Sequence, residues 1–176
     1  MTTTRRWFDR KFELGLGPEA APELFARLGS APQRLAEAVR DLSPDLLTRR
    51  RDGKWSIQEN AGHLFDLEAL WDERLNDYAA GAGVLHAADV ENRKTHEAGH
   101  NARPITEILS QFAAARNAIM QRLERMTSAE ISRTSLHPRL QQPMSVVDLC
   151  YFVAEHDDHH LQTIRELRAS FKNTKC

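Results

Sequence analysis

Two cysteines, Cys150 and Cys176, in a chain of 176 residues cannot build a disulfide framework, and no CxxC pair is present to hold zinc as a finger does. A metal bound by this chain must therefore be held by nitrogen or oxygen. A basic excess is missing too: 24 Lys and Arg face 25 Asp and Glu, and the pI lies near 6.7. That balance argues against a nucleic-acid partner, which needs a stripe of positive charge. Long apolar runs are also lacking. The start, MTTTRRWFDRKFELGLG, is interrupted by Asp9, Arg10, Lys11 and Glu13 where a signal peptide needs an apolar stretch, and the longest charge-free run, Tyr78 to Ala88, is too short to span a bilayer. The expectation is a soluble, cytoplasmic protein with no membrane partner. Strand signals are nearly absent, because β-branched residues are sparse and never alternate, and there is no repeat or low-complexity tract. The length suits one domain.

What is present is helical periodicity in four segments. The first runs from about Pro18 to Leu42 through Leu24, Phe25, Leu28, Leu35 and Val39, with Gly29 and Pro32 expected to break or kink it. The second starts at WSIQE, where Ser56 and Glu59 have the spacing of a capping box, and carries Ile57, Ala61, Leu64, Leu67, Trp71, Leu75 and Tyr78 until Gly81 and Gly83 stop it. The third opens at RPITE behind Pro104 and continues to Met126. In the fourth, Ser145 and Asp148 repeat the capping-box spacing ahead of Val146, Leu149, Val153, Ile164 and Leu167. The expected fold is all-α, a four-helix bundle over residues 18–172, with an N-terminal arm (residues 1–17) whose Trp7, Phe8 and Phe12 pack on the bundle or on a partner subunit. The connection between the second and third helices, about residues 80–103, is longer than a bundle needs and is a candidate functional segment.

Three of the eight histidines fall within EHDDHHLQ, residues 155–162. At about 100° per residue, His160 shares the centre of the apolar stripe of the fourth helix and His156 misses it by roughly 40°, so both point inward. Two imidazoles four residues apart can reach one ion. Buried side by side without one, they lose hydration and repel each other's protons. His159 lies roughly 100° away and is not expected to ligate. A third ligand should come from a facing helix, and His63 in ENAGHLFDLE is the best placed; Asp66 and Glu68 point elsewhere on that wheel. Three imidazoles with a position left open make a catalytic type of site rather than a structural one. The long connection adds HEAGH, with His96 and His100, which reads either as a polar surface loop or as a cover for the metal. Under the second reading His96, His100, Asn92 and Arg93 are the candidate substrate contacts. His86 and His137 read as surface residues.

With those residues in place, DGKWSIQENAGHLFDLE (52–68) and MSVVDLCYFVAEHDDHHLQTIREL (144–167) resemble the DinB-like (DinB/YfiT) superfamily of metal-dependent enzymes over most of the chain. The resemblance implies an up-down-down-up bundle, usually a homodimer, in which His63, His156 and His160 hold one divalent ion: zinc, nickel, iron or manganese. It also implies a low-molecular-weight thiol (bacillithiol, mycothiol or glutathione) as co-substrate in transfer to, or isomerisation of, a small molecule, with the sulfur bound as thiolate.

Three readings follow for the same residues. In the first, an ion activates a thiol or, second in preference, a water for attack on a small electrophile held under residues 80–103. In the second, the ion stiffens the bundle or senses metal without turnover. In the third there is no ion, and the histidines are a hydrogen-bonded core. Glu59, Asp157 and Asp158 are candidates to orient the imidazoles.

Overall fold

Ser56 and Glu59 set the start of the second long helix as their spacing predicts: the Ser56 hydroxyl accepts from the Glu59 amide at 3.0 Å, and the Glu59 carboxylate accepts from the Ser56 amide at 2.8 Å. Ser145 and Asp148 do the same for the last helix, at 3.0 Å each way. The computed structural model describes residues 7–172; the first six residues of the arm and Cys176 lie outside them. The described α-helices are α1 (Ala21–Val39), α2 (Pro44–Thr48), α3 (Ile57–Asp66), α4 (Glu68–Ala80), α5 (Arg93–Glu97), α6 (Ile105–Leu123), α7 (Ser128–Ile131) and α8 (Val146–Lys172). None is long and apolar enough to cross a membrane.

Cross-helix contacts fix the topology. Side chains pair Arg27 with Glu155 and Arg34 with Asp158, and Arg168 donates to the Ala38 carbonyl, so α1 and α8 run parallel. Gln58 reaches the Arg103 carbonyl, Glu68 meets Arg116 and Asp72 meets Arg122, so α3–α4 runs parallel to α6. Asn60 meets His160 while the Tyr78 hydroxyl donates to the Met144 and Ser145 carbonyls, so α8 is antiparallel to α3–α4. The bundle is therefore up-down-down-up. Its parallel second and third helices require a connection that returns the length of the bundle, which accounts for the long segment between Gly81 and Pro104.

Three sequence expectations change. The first helix is not broken: α1 is continuous through Pro32. A proline cannot donate to the carbonyl four residues back, here Leu28, and that carbonyl accepts instead from Arg116 Nη1 at 3.1 Å. The second helix has an irregular turn at Leu67, although Leu67 N–H bonds to the His63 carbonyl and Trp71 N–H to the Leu67 carbonyl across it. The fold also contains a small antiparallel pair, β1 (Thr134–Leu136) and β2 (Pro143–Ser145), bridged by Val84. Three-residue strands are too short to display alternation.

The apolar core is split in two. One part gathers Leu24, Leu28, Trp71, Leu75, Leu123 and Val153; the other gathers Leu35, Ile57, Leu64, Phe112, Leu161 and Ile164. Between them, all four long helices contribute to a polar layer of Leu28 carbonyl, His63, Glu68, Arg116, His156, Asp157 and His160. The arm packs on this layer's edge. Trp7 lies edge-on to His156 at 5.0 Å between ring centres, and Asp148 holds the arm backbone by accepting from the Gly15 and Leu16 amides at 2.8 and 2.9 Å.

Candidate metal centre

His156 and His160 stand four positions apart along α8, and α3 faces that turn with His63. The three buried imidazoles converge, each offering a nitrogen within 4.8 Å of the others'. Their hydrogen bonds decide which nitrogen two of them offer. His63 Nδ1 lies 3.0 Å from the Thr95 hydroxyl, which itself donates to Asp66 Oδ2 at 2.8 Å. The hydroxyl proton is thus committed, Thr95 accepts from His63 Nδ1–H, and Nε2 keeps its lone pair. Asn60 donates its amide to the Ser56 carbonyl at 2.8 Å and accepts His160 Nδ1–H at 2.9 Å, which leaves Nε2 of His160 free in the same way. His156 Nδ1 is buried with no hydrogen-bond partner among the described residues.

Burial keeps all three rings neutral. It lowers His63 to about 4, with only partial relief from Asp66, and it lowers His156 and His160 well below the ordinary imidazole value, helped by repulsion within the cluster. Neutral lone pairs that converge in a buried layer, with one ring nitrogen orphaned, are the donor set a divalent cation takes, so the residues fit the ion implied by the sequence.

Neighbouring groups divide by role. Glu59 pairs with Arg50 and caps α3; Asp158 pairs with Arg27 and Arg34; Asp157 pairs with Arg116. None of these three orients an imidazole. Thr95, Asp66 and Asn60 do, which sequence reasoning missed, and Asp66 points toward the site rather than away from it. Asn60 lies three residues before His63 on the same helix, a spacing that carries a usable signal. Thr95 comes from the long connection, where no periodicity marks it.

Above the imidazoles opens a cleft of about 390 Å³, whose walls include all three tryptophans, Trp7, Trp55 and Trp71, together with Phe152 and residues 87–90. Of the four expected substrate contacts, Asn92 lines it. Arg93 is paired with Glu91 on the surface, and His96 is exposed beside Trp55. His100 is corrected outright. It is buried, donates Nε2–H to Asp66 at 2.8 Å, and packs against Gly62 so closely that any Cβ there would fall within its ring. It braces the site from behind. His137, expected on the surface, is buried and lines the cleft, because the loop between β1 and β2 folds inward over Phe152. His86 is exposed and bonded to Asp77. His159 lines the cleft beside Trp7 and stands outside the convergent trio.

The DinB superfamily model matches residues 27–164. Among solved structures, YfiT from Bacillus subtilis, described as a probable metal-dependent hydrolase with an unusual four-helix bundle topology, aligns with a TM-score of 0.82 at 18% identity over 93% of this chain and 94% of its own. A mycothiol-dependent maleylpyruvate isomerase aligns at 0.61 and 10% identity, over 80% of this chain and 58% of its own. A Streptococcus pneumoniae protein aligns at 0.61 and 14% identity, over 95% and 94%. No curated protein matches the sequence.

Proposed function

The chain belongs to the DinB superfamily, and from that premise we propose that it is an enzyme in which His63, His156 and His160 hold one divalent ion and a low-molecular-weight thiol is activated at the cleft floor for transfer to a small electrophile. The observation that carries the reading is the convergence of three neutral buried imidazoles on the floor of an apolar cleft. A divalent ion held there supplies Lewis acidity, bringing a bound thiol or water to its anion near neutral pH.

The chain's own residues do the rest. Thr95 and Asn60 hold two rings in one tautomer, so no proton has to leave His63 or His160 before they ligate. Trp55, Trp71 and Phe152 limit water at the floor, favouring an added nucleophile over solvent. Hydrolysis is the second reading, supported by the likeness to YfiT.

Metal analysis of protein purified without a nickel column tests the first step. About one ion per chain is expected in the wild type and close to none in His160→Ala, with the helical circular dichroism of both intact. Unchanged stoichiometry in His160→Ala would overturn the ligand set. A screen of cobalt-substituted protein then separates the readings: thiols should perturb its absorption if the open position takes sulfur, whereas turnover of esters or amides without thiol would favour hydrolysis.

A further inference from the structure

Arg74 is 1% exposed, yet no carboxylate lies within ion-pairing distance of it among the described residues. Its nearest polar partners are neutral: Nε donates to the His86 carbonyl at 3.0 Å, and Nη1 sits 3.2 Å from His137 Nε2. The neighbouring acid, Asp77, is engaged with the amide and ring of His86. A buried guanidinium without a counter-charge is rare, because the desolvation of the ion is left uncompensated.

The contact with His137 deepens the anomaly. His137 Nδ1 accepts from the amides of Arg139 and Leu140 at 3.2 and 3.1 Å. A neutral ring that accepts at Nδ1 carries its proton on Nε2, so that N–H faces the N–H of Arg74: two donors and no acceptor. The ring stays neutral, lowered to about 3 by burial and by the charges of Arg74 and Arg139. Arg139 adds a third donor, since its Nη2 is buried with no partner among the described residues while its guanidinium lies over Phe8 and Phe152. All three residues line the same cleft as the imidazoles. The acid on that cleft, Asp89, is occupied at the rim by the amides of Glu91 and Lys94.

We infer that Arg74, His137 and Arg139 form a carboxylate-binding site, and that the cleft takes a small molecule with an apolar body and a carboxylate head. The missing acceptor is planar and anionic: a carboxylate has two oxygens for the fork of a guanidinium and for an imidazole N–H. Trp71 and Phe152, which stack on the two guanidiniums, supply the surface for the apolar body. This names the substrate class for the function proposed above and rests on that reading for its chemistry, but the anion site stands on its own geometry and needs no metal.

The experiment follows tryptophan fluorescence, all three indoles being on the cleft wall, as 3-phenylpropionate and its uncharged amide are titrated into chelator-treated and into metal-loaded protein. In the chelator-treated protein, where the acid has no ion to bind, it should bind at least tenfold more tightly than the amide. Arg139→Gln should remove most of that preference, bringing the affinity for the acid close to that for the amide in the same variant, and Arg139→Lys should restore part of it. Equal affinity for acid and amide, or an undiminished preference in Arg139→Gln, overturns the inference. Arg139 is only half-buried, so this variant keeps the test decisive even if Arg74→Gln does not fold. A chain that binds no metal yet prefers the acid would refute the metal-dependent function alone.

Discussion

His156 and Asp157 are adjacent on α8, both buried in the polar layer, and they serve opposite ends. Asp157 joins a closed cluster in which Arg116 donates to it at 2.6 Å, to Glu68 at 2.6 and 3.0 Å, and to the Leu28 carbonyl. Every nitrogen of that guanidinium is matched. His156 joins a cluster of lone pairs aimed at one another, matched by nothing among the described residues and open to a cleft. Similar burial and the same helix thus hold one group that completes the fold and one that is incomplete within it. The difference teaches that the sign of a buried polar group's contribution depends on whether its partners belong to the chain.

The largest effect should come from breaking the closed cluster. Arg116→Met leaves Glu68 and Asp157 buried without a cation and should destabilise the fold by about 3–5 kcal/mol, read by urea unfolding at neutral pH. Replacing all three by apolar residues of similar size should recover most of the loss, because the paired charges offset a desolvation that is then no longer incurred.

Acidity should separate the clusters next, because their slopes oppose. Well above pH 6.5 the three imidazoles are neutral folded and unfolded alike. Below it the unfolded chain takes up protons that the folded bundle refuses until about 4 for His63, so metal-free stability falls as the pH drops through that window. At about 1.4 kcal/mol per pKa unit, His63 alone contributes on the order of 3 kcal/mol. Glu68 is raised by burial from 4.5 to about 7 against the pull of Arg116, so its contribution is full below pH 4.5 and is lost as the pH rises towards 7. Unfolding curves for Glu68→Gln should flatten the second slope, leaving the part that Asp157, also raised by burial, contributes, and keep the first. Metal loading should steepen the first, as protons then compete with the ion for the folded rings.

Thr95→Val sharpens the comparison more finely. It removes the acceptor of His63 Nδ1–H together with one donor to Asp66, and should lower metal affinity by about 10- to 100-fold in a competition titration while the ligands remain. The smallest change belongs to Pro32→Ala. A proline inside a helix ordinarily costs about 3 kcal/mol. With the Leu28 carbonyl already satisfied by Arg116, the gain in unfolding free energy should stay below about 1 kcal/mol.

What could be read from residues alone follows from which contacts are periodic. His156 and His160 are one helical turn apart and His63 lies on another amphipathic helix, so the apolar stripes place all three rings before any coordinates do. Ser56 with Glu59, and Ser145 with Asp148, are local contacts that their spacing foretells. Thr95, His137 and Arg139 belong to connections, where the backbone path and not a repeat decides what a side chain meets. His137 meets Arg74 across 63 positions, which neither stretch announces. Pro32 misleads for the same reason: its tolerance depends on an arginine 84 positions further on, the difference between residues 116 and 32.

The returning connection between α4 and α6 has a kinetic consequence. Thr95 closes on His63 over 32 positions and Asn60 on His160 over 100, whereas each long helix needs only bonds between near neighbours. Closing long loops is entropically costly until the helices that anchor them have paired. The imidazole trio should therefore assemble late, in a bundle whose four helices already stand, so that an ion bound there would be captured by a formed vessel rather than act as the nucleus around which the chain collapses.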